Sequence, residues 1–404
     1  MNEPATIGQY PNYFGDFIEA TQRYLEQPLY LGGLKVWPGW MIPDLILYTL
    51  AILASCGIII GLISFIAIFG IYAERKIAGH IQQRLGPMRV GWHGILQSFA
   101  DGIKLFTKED VIPDHANHFL FSFAPVLVFI GALVPFAALP FADTLVIANM
   151  DVGLFYVLAF AALEVIGVIM AGWASNSKWS LYGGMRLAAQ MMSYEIPLGL
   201  AALTVVLLAG TLNINEIVEQ QRFLPYMLQS PFAFIAFFIF YIGALASAKR
   251  APFDLPEAES ELVSGFHTEY SGIRFSFFFL AEYAAMGMLS IVAALVFLGG
   301  WNFPIPAAGH PIIGVTQLAL KSSFLFFVMI WVRWTLPRVR IDQVMYMCLK
   351  VLVPFGMFCV IGAGLEAALG AHLVSVHVSA WIACAALAVF FWLIARRDIR
   401  TRTT

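Results

Sequence analysis

Long apolar stretches separated by short polar loops dominate the chain from residue 43 onward. Nine of them reach the roughly 20 residues that an α-helix needs to cross the hydrocarbon of a membrane. They cover residues 43–72, 119–141, 152–173, 187–209, 232–248, 275–298, 316–336, 349–369 and 375–394. No strong alternation with a period of two is present, so helices are predicted rather than the strands of a membrane barrel. The pattern predicts an all-α polytopic membrane protein with about nine transmembrane helices.

The basic residues predict the direction of these helices. All of the 23 lysines and arginines except Arg23, Lys35, Arg222 and Lys321 fall in or next to the loops after the first, third, fifth and seventh stretches, or in the C-terminal tail. Because basic loops stay on the cytoplasmic side, we expect a cytoplasmic C-terminus and an N-terminus outside. The chain then divides into an interfacial segment over residues 1–42, one transmembrane domain over 43–395 and a basic tail over 396–404.

Composition removes several classes of protein from consideration. Hydrophobic residues make up 60% of the 404 residues, charged residues only 12%, and the mean hydropathy is +0.80. A soluble domain carries about 25% charged residues, so a soluble enzyme, a disordered chain and a nucleic-acid binder are excluded. The four cysteines are isolated in apolar segments, which argues against an iron–sulfur or zinc site. No phosphate-binding loop, dinucleotide fingerprint or pair of histidines at ligand spacing is present.

The loop after the first stretch contains an amphipathic helix. From His93 onward, apolar residues recur every three or four positions, and Gln97, Asp101 and Lys104 share the opposite face. A helix too short to span the membrane is expected to lie in its interface. It is either a solvated surface helix or one wall of a cavity that an amphipathic ligand enters from the membrane. Glu74 and Arg75, at the cytoplasmic end of the first stretch, fit both interpretations.

The loop between residues 249 and 274 is acidic. It contains Asp254, Glu257, Glu259, Glu261 and Glu269. Clustered carboxylates oppose each other's ionisation, so some of their pKa values should rise toward neutrality. The loop is either a solvated acidic segment or, because apolar residues such as Phe253 alternate with the acids, a segment that packs into a cavity or a partner.

Three carboxylates lie inside the apolar stretches. Glu164, Glu195 and Glu282 are each expected to cost several kcal/mol when charged, roughly 2.5–3.5 on insertion scales. They are either members of a proton relay or protonated acids that hydrogen-bond between helices. Glu366 and Lys321 lie near the outer ends of their helices and are expected to extend toward the membrane surface.

Two loop sequences identify a resemblance. Residues 74–110, ERKIAGHIQQRLGPMRVGWHGILQSFADGIKLFTKED, and residues 250–272, RAPFDLPEAESELVSGFHTEYSG, are similar to the signature regions of the H subunits of bacterial NADH:quinone oxidoreductase, respiratory complex I. The resemblance extends over about residues 43–369. It implies tilted helices around a quinone chamber, an anchor for the peripheral arm and the start of a proton path toward antiporter-like subunits. The N-terminal extension and the ninth stretch depart from the family pattern.

The resemblance also implies residue roles and partners. Quinone-chamber residues would be Glu74, Arg75, Asp101, Lys104, Phe253, Arg274, Arg333 and Arg338, and proton-coupling residues would be Glu164, Glu195, Asp254, Glu257, Glu259, Glu261, Glu269 and Glu282. Quinone would be the substrate, with no covalently bound group, while FMN and iron–sulfur clusters would belong only to partner subunits of the peripheral arm. The enzyme would be the whole translocase in the bacterial inner membrane, since this chain alone holds no complete active site. A membrane subunit of a related hydrogenase-type complex and a free-standing secondary transporter remain as alternatives.

Overall fold

A computed structural model describes residues 30–31, 34–35, 44–143, 145–257, 259–305, 310–369, 377–382 and 384. Most of these residues are helical. The two strands, β1 (Tyr30–Leu31) and β2 (Leu34–Lys35), form one short antiparallel pair. The predicted all-α class is confirmed, whereas most of the predicted interfacial segment over residues 1–42 and the basic tail over 396–404 lie outside the described residues.

Within the described residues up to 369, fourteen helices follow the strands. They are α1 (Asp44–Ile81), α2 (Gln97–Thr107), α3 (His118–Leu133), α4 (Gly153–Ala161), α5 (Leu163–Ala174), α6 (Lys178–Ala209), α7 (Ile214–Gln220), α8 (Tyr226–Gln229), α9 (Pro231–Ser247), α10 (Glu259–Leu262), α11 (Gly272–Phe297), α12 (Pro311–Thr335), α13 (Ile341–Tyr346) and α14 (Val353–Ala368). Short 3-10 segments cover Trp92–Gly94, Val134–Ala138 and Gly265–His267. A π-helical segment, Met347–Leu352, joins α13 to α14.

Eight of the nine predicted membrane helices are present in the described part of the chain. Seven helical stretches there are long and apolar enough to span a membrane, and α9 is a shorter apolar helix of 17 residues. Of the predicted ninth helix, only residues 377–382 and 384 are described, and they are helical. The polytopic membrane architecture is therefore confirmed.

Several helix boundaries differ from the prediction. Helix α1 continues to Ile81 instead of ending near residue 72, and α6 begins at Lys178 instead of 187. The third stretch is two helices, α4 and α5, that meet at Ala162. Hydropathy marks the part of a helix that is apolar, whereas polar residues with good helix propensity extend the helix beyond it.

Hydrogen bonds divide the loops into two groups at opposite ends of the helices. At one end, Asn117 N donates to Ala174 O at 3.1 Å, Val111 N to Ser271 Oγ at 3.2 Å and Val339 N to Pro252 O at 3.1 Å. At the other end, Leu154 N donates to Leu212 O at 3.1 Å, and Asn302 Nδ2 to Val218 O at 3.2 Å. Consecutive loops thus alternate between the ends, as the predicted number of crossings requires.

The amphipathic helix predicted after the first stretch is α2. Its apolar residues Phe99, Ile103 and Phe106 are exposed in the isolated chain. An exposed apolar face on a short helix fits an interfacial position, where lipid or a neighbouring chain covers it.

Two ionisable residues near the other end have partners within the protein, and of the two only Glu366 differs from the expectation that it extends outward. Glu366 is 3% exposed, accepts a hydrogen bond from Ser230 Oγ at 2.6 Å and lies 2.5 Å from His377 Nδ1. Lys321 Nζ donates to Leu298 O and Gly300 O, both at 2.7 Å. Lys321 therefore caps the C-terminus of α11, because a cation satisfies the last carbonyls of a helix and complements its dipole.

Candidate functional site

Three carboxylates and three basic side chains form a buried network near the end of the helices that carries the acidic loop. They are Glu74 of α1, Glu164 of α5, Glu282 of α11, Arg333 of α12, and Lys249 and Arg250 of the loop after α9. Apart from Arg333, each of these residues is at most 6% exposed. The network holds as many acids as bases, and pairing with an opposite charge is the condition under which ions persist in an apolar interior.

Arg250 joins two of the carboxylates. Its Nη1 donates to both oxygens of Glu74, at 3.2 and 3.1 Å, and its Nε lies 2.6 Å from Glu282 Oε1. Glu74 also accepts hydrogen bonds from Arg333 Nη1 at 2.5 Å and from the Tyr283 hydroxyl at 2.6 Å. The Arg250 guanidinium lies 4.4 Å from the centre of the Tyr283 ring. These contacts on several sides hold Arg250 in one position.

Lys249 pairs in another direction. Its Nζ donates to Glu164 Oε1 at 2.5 Å, and the two side chains are only 4% and 7% exposed. The backbone at Lys249 has a φ of +52°, a left-handed conformation that is uncommon outside glycine. The neighbouring side chains of Lys249 and Arg250 thereby reach carboxylates on different helices, α5 in one case and α1 and α11 in the other.

Helix α3 approaches the backbone of Glu164 closely. A Cβ atom on Gly131 of α3 would lie 2.5 Å from the amide nitrogen of Glu164. Only glycine permits this approach without a shift of one helix. The close packing of α3 against α5 therefore fixes the position of the Glu164 carboxylate.

A cavity of about 450 Å³ adjoins the network, and we name it the charged cavity. Its polar lining consists of Asp254, Glu257, His267, Glu282, Arg333 and Arg338, and its aromatic lining of Phe275, Phe278, Phe279 and Trp334. Arg338 Nη2 lies 3.3 Å from Asp254 Oδ2, and His267 Nδ1 lies 3.9 Å from Glu257 Oε1. Its volume is within the roughly 300–1,000 Å³ of typical ligand pockets. Glu282 and Arg333 belong to both the charged cavity and the buried network.

The acidic loop reaches the cavity through a tight return. Gly265 has a φ of +59°, and a Cβ atom there would overlap the carbonyl oxygen of Pro256. The loop closes back on itself at this point, which brings Glu257 and His267 to the same wall. This return is a local conformation that only glycine adopts without strain.

Burial changes the proton affinity of two cavity groups. Burial raises the pKa of the Glu257 carboxyl well above its ordinary value, and the charges of Glu282 and Asp254 raise that pKa further. Burial, together with the charge of Lys249, lowers the pKa of His267 to about 4. His267 is thus neutral at neutral pH, while Glu257 retains its proton more readily than an exposed glutamate.

The predicted site residues fall into several groups. Asp254, Glu257, Glu282, Arg333 and Arg338 line the charged cavity, and Glu74 and Glu164 lie in the buried network. Five more form ion pairs elsewhere: Arg75 and Lys104 pair with Asp101, Arg274 pairs with Asp110 at 3.2 Å, and Glu261 pairs with Arg186 at 2.5 Å.

Four predicted positions have other surroundings. Phe253 is buried, and its carbonyl accepts a hydrogen bond from Gln190 Nε2 at 3.0 Å. Glu195 faces a second, largely apolar cavity of about 380 Å³ between α4 and α6. Glu269 is half-buried. Glu259 begins α10, but its side chain lies outside the described residues.

Three contributors to the network were missed in the sequence. In the sequence, Lys249 and Arg250 look like ordinary basic residues of a cytoplasmic loop, and Tyr283 looks like an ordinary aromatic residue of an apolar helix. A signal was present nonetheless, because three acids predicted inside the membrane require basic or hydrogen-bonding partners. Within the described part of the chain, no three His, Cys, Asp or Glu side chains are placed to hold a metal ion.

Comparison with known proteins gives consistent matches. A family model described as NADH dehydrogenase matches residues 53–364. The H subunit of NADH-quinone oxidoreductase from Chlorobium luteolum is 50% identical over 301 residues, which is 71% of this chain and 81% of the relative. The H subunit from Rhodospirillum centenum is 46% identical over 327 residues, or 81% of this chain and 95% of the relative. The H subunit from Syntrophotalea carbinolica is 45% identical over 323 residues, covering 78% and 95%.

Proposed function

The chain belongs to the H-subunit family of NADH-quinone oxidoreductase, integral membrane subunits of respiratory complex I, and from this premise we propose that it forms the chamber through which a quinone enters and the first part of the proton-coupling path. The observation that carries the proposal is the charged cavity, whose wall shares Glu282 and Arg333 with the buried network. A change of charge in the cavity therefore acts directly on ions inside the membrane.

The lining of the charged cavity suits a quinone head group. Three phenylalanines and Trp334 offer apolar contact, and Arg338 and Arg333 offer positive charge to the oxygens of a quinone that is being reduced. Reduction of a quinone to a quinol also consumes two protons. Burial raises the pKa of Glu257, so this carboxyl retains a proton more readily than an exposed glutamate, and it is the group that we propose donates a proton there.

Negative charge in the cavity would spread through the buried network. Arg250 contacts both Glu282 and Glu74, so a shift of one carboxylate changes the energy of the other. Glu164, held by Lys249, and Glu195, in the cavity between α4 and α6, are the next carboxylates in the proposed path. A pKa change passed from group to group in this way is a coupling free energy between sites.

Partners and an orientation belong to the same proposal. The FMN and iron–sulfur clusters would belong to the peripheral arm, which this chain would anchor at the end that carries the acidic loop. That end would face the cytoplasm of a bacterium, with the N-terminus outside the inner membrane and the C-terminus inside. Small and antiporter-like membrane subunits would receive the proton path.

A matched pair of substitutions on one loop tests the proposal. Glu257→Gln removes the cavity carboxyl, whereas Glu261→Gln removes a carboxylate that pairs with Arg186 away from the cavity. In the assembled complex we expect Glu257→Gln to lower NADH:quinone activity by about 10²-fold, the low end for a lost proton donor. NADH oxidation by ferricyanide should be unchanged, because the peripheral arm is intact. Equal quinone activity in Glu257→Gln, Glu261→Gln and the parent would contradict the proposed role.

A further inference from the structure

Lys249 differs from the other buried cation of the same loop in how firmly it is held. Arg250 contacts Glu74, Glu282 and the ring of Tyr283. Lys249 has one hydrogen-bonded carboxylate, Glu164, and its ammonium lies 5.7 Å from the centre of the Phe266 ring. A lysine ammonium on a flexible four-carbon stem changes partners more readily than a planar guanidinium that contacts two carboxylates and an aromatic ring.

Other acids act on Lys249 besides its bonded partner. Burial lowers the pKa of Lys249, but Glu164, Glu257 and Glu282 outweigh burial and leave that pKa above its ordinary value. The geometry agrees, because the Lys249 ammonium that bonds Glu164 of α5 also lies 5.7 Å from the centre of the Phe266 ring, and the next residue, His267, lies 3.9 Å from Glu257 Oε1 in the charged cavity. The charge of Lys249 also acts on His267 of the cavity wall.

The backbone of Lys249 is strained, and this strain is further evidence that the side chain is held in a particular position. The φ of +52° is uncommon for a residue with a long side chain, and such conformations persist where surrounding structure imposes them and are concentrated at functional sites. A lysine in a loop usually extends into solvent, yet this one is directed inward onto a buried carboxylate.

We propose that Lys249 is a positioning residue that alternates between two carboxylates, Glu164 of α5 and Glu257 of the charged cavity. The inference rests on the proposed function and adds the element that links the cavity to the membrane-embedded acids. While Glu257 is protonated, Lys249 stays with ionised Glu164. When Glu257 gives its proton to the cavity and becomes ionised, Lys249 turns to it, and Glu164, now without a counter-ion, takes up a second proton from solvent. One proton lost at Glu257 is matched by one gained at Glu164, so the buried charge stays constant.

Paired neutral substitutions separate this role from a structural one. Lys249→Met alone leaves Glu164 uncompensated, whereas Lys249→Met with Glu164→Gln removes both charges and restores neutrality. If the pair only stabilised the fold, the double variant would recover assembly and function together. We expect it to assemble and reduce quinone but to translocate fewer protons per NADH, by on the order of tenfold, within the range usual for coupled sites.

The measurement uses the whole complex reconstituted in liposomes, with NADH, a short-chain quinone and an internal pH dye. Lys249→Arg serves as a second variant that keeps the charge, and we expect it to lower protons per NADH because guanidinium exchanges partners less readily. Lys321→Met, which removes a lysine at the opposite end of the helices, is the control and should keep the parental ratio.

The outcomes are distinct from those that test the proposed function. The parental number of protons per NADH in the double variant or in Lys249→Arg would overturn the inference, even if Glu257→Gln abolishes quinone reduction. If the double variant fails to assemble, the Lys249→Arg ratio decides. Loss of quinone reduction in the double variant would also overturn it, since Lys249 would then act in the cavity itself. Failure of the proposed function is seen separately, as full quinone activity in Glu257→Gln.

Discussion

At the scale of single residues, Arg250 has the greatest effect on its surroundings because it neutralises two buried acids at once. Replacing it with methionine leaves Glu282 without its cation and Glu74 with Arg333 alone. Breaking a buried pair in this way costs about 3–5 kcal/mol, since the remaining charge is uncompensated. We expect Arg250→Met to lower the thermal midpoint of the detergent-solubilised complex, or to prevent its assembly.

The control for this prediction is Arg186→Met. Arg186 pairs with Glu261, whose side chain is 52% exposed. Surface pairs contribute about 0–1 kcal/mol, so the midpoint should change little. Equal effects of the two substitutions would show that the network gains nothing from burial.

His267 makes the stability of the cavity wall depend on pH. Its pKa is about 4 in the folded chain against 6.5 for an ordinary histidine. Between these two pH values the unfolded chain binds a proton at His267 and the folded chain does not. The contribution of neutral His267 to the free energy of unfolding is therefore fully present above pH 6.5 and is lost as the pH falls toward 4. The raised pKa of Glu257 acts with the opposite sign, because folded Glu257 gains protons first.

The test compares His267→Gln with the parent across this range. The difference between their thermal midpoints should grow steadily in favour of the variant between pH 6.5 and about 4, and stay constant above pH 7. A difference that does not vary with pH would contradict a neutral, buried His267.

Residue-scale prediction from the sequence succeeds where a single residue is unusual for its segment. Glu164 and Glu282 stood out because acids are expensive in apolar stretches, whereas Glu74 was placed only at the cytoplasmic end of the first stretch. Grouping Glu74 with Arg75 ignored the helix, since consecutive residues do not face each other. Glu74 points to the network, whereas Arg75 points to Asp101 of α2. Lys249 and Arg250, the basic partners of these acids, reach them because the backbone at Lys249 has a left-handed φ. The amino-acid composition does not reveal that conformation.

At the scale of elements, the contact between α3 and α5 sets the position of Glu164. Gly131→Ala would force a Cβ atom to 2.5 Å from the Glu164 amide nitrogen. We expect a loss of about 1–3 kcal/mol, the usual cost of overpacking, and a displaced carboxylate. Thermal midpoint and protons per NADH of the reconstituted complex measure the two effects.

Gly61→Ala in α1 is the matched control, because nothing lies within 4 Å of its added methyl group. Alanine has the higher helix propensity, so this variant should be neutral or slightly stabilised. A normal proton ratio and midpoint in Gly131→Ala would mean that the close approach does not position Glu164.

Element boundaries were less predictable than element number. Hydropathy located eight described membrane helices, but α1 and α6 extend well past their apolar parts. The break between α4 and α5 at Ala162 lies inside a long apolar stretch with no proline at the junction, and Glu164 follows two residues later. Tertiary packing, including Gly131 against Glu164, decides that geometry rather than local sequence.

At the scale of the whole molecule, the loops alternate between the two ends of the helices, and the two ends therefore carry different side chains. The end with the acidic loop carries the charged cavity and most of the basic residues. The other end carries Lys321 at the α11 terminus and the Glu366–His377 contact, through which the described part of the ninth helix adjoins α14. The sequence predicted this polarity from charge bias, while the cavity itself needed the folded acidic loop.

The most direct test of the proposed quinone chamber is a density map of the assembled complex with a quinone-site inhibitor bound. We expect density for the inhibitor head group inside the charged cavity, within hydrogen-bond distance of Glu257, Asp254 or Arg338. Density for the head group elsewhere, with the cavity filled by side chains of a neighbouring subunit, would contradict the proposed chamber.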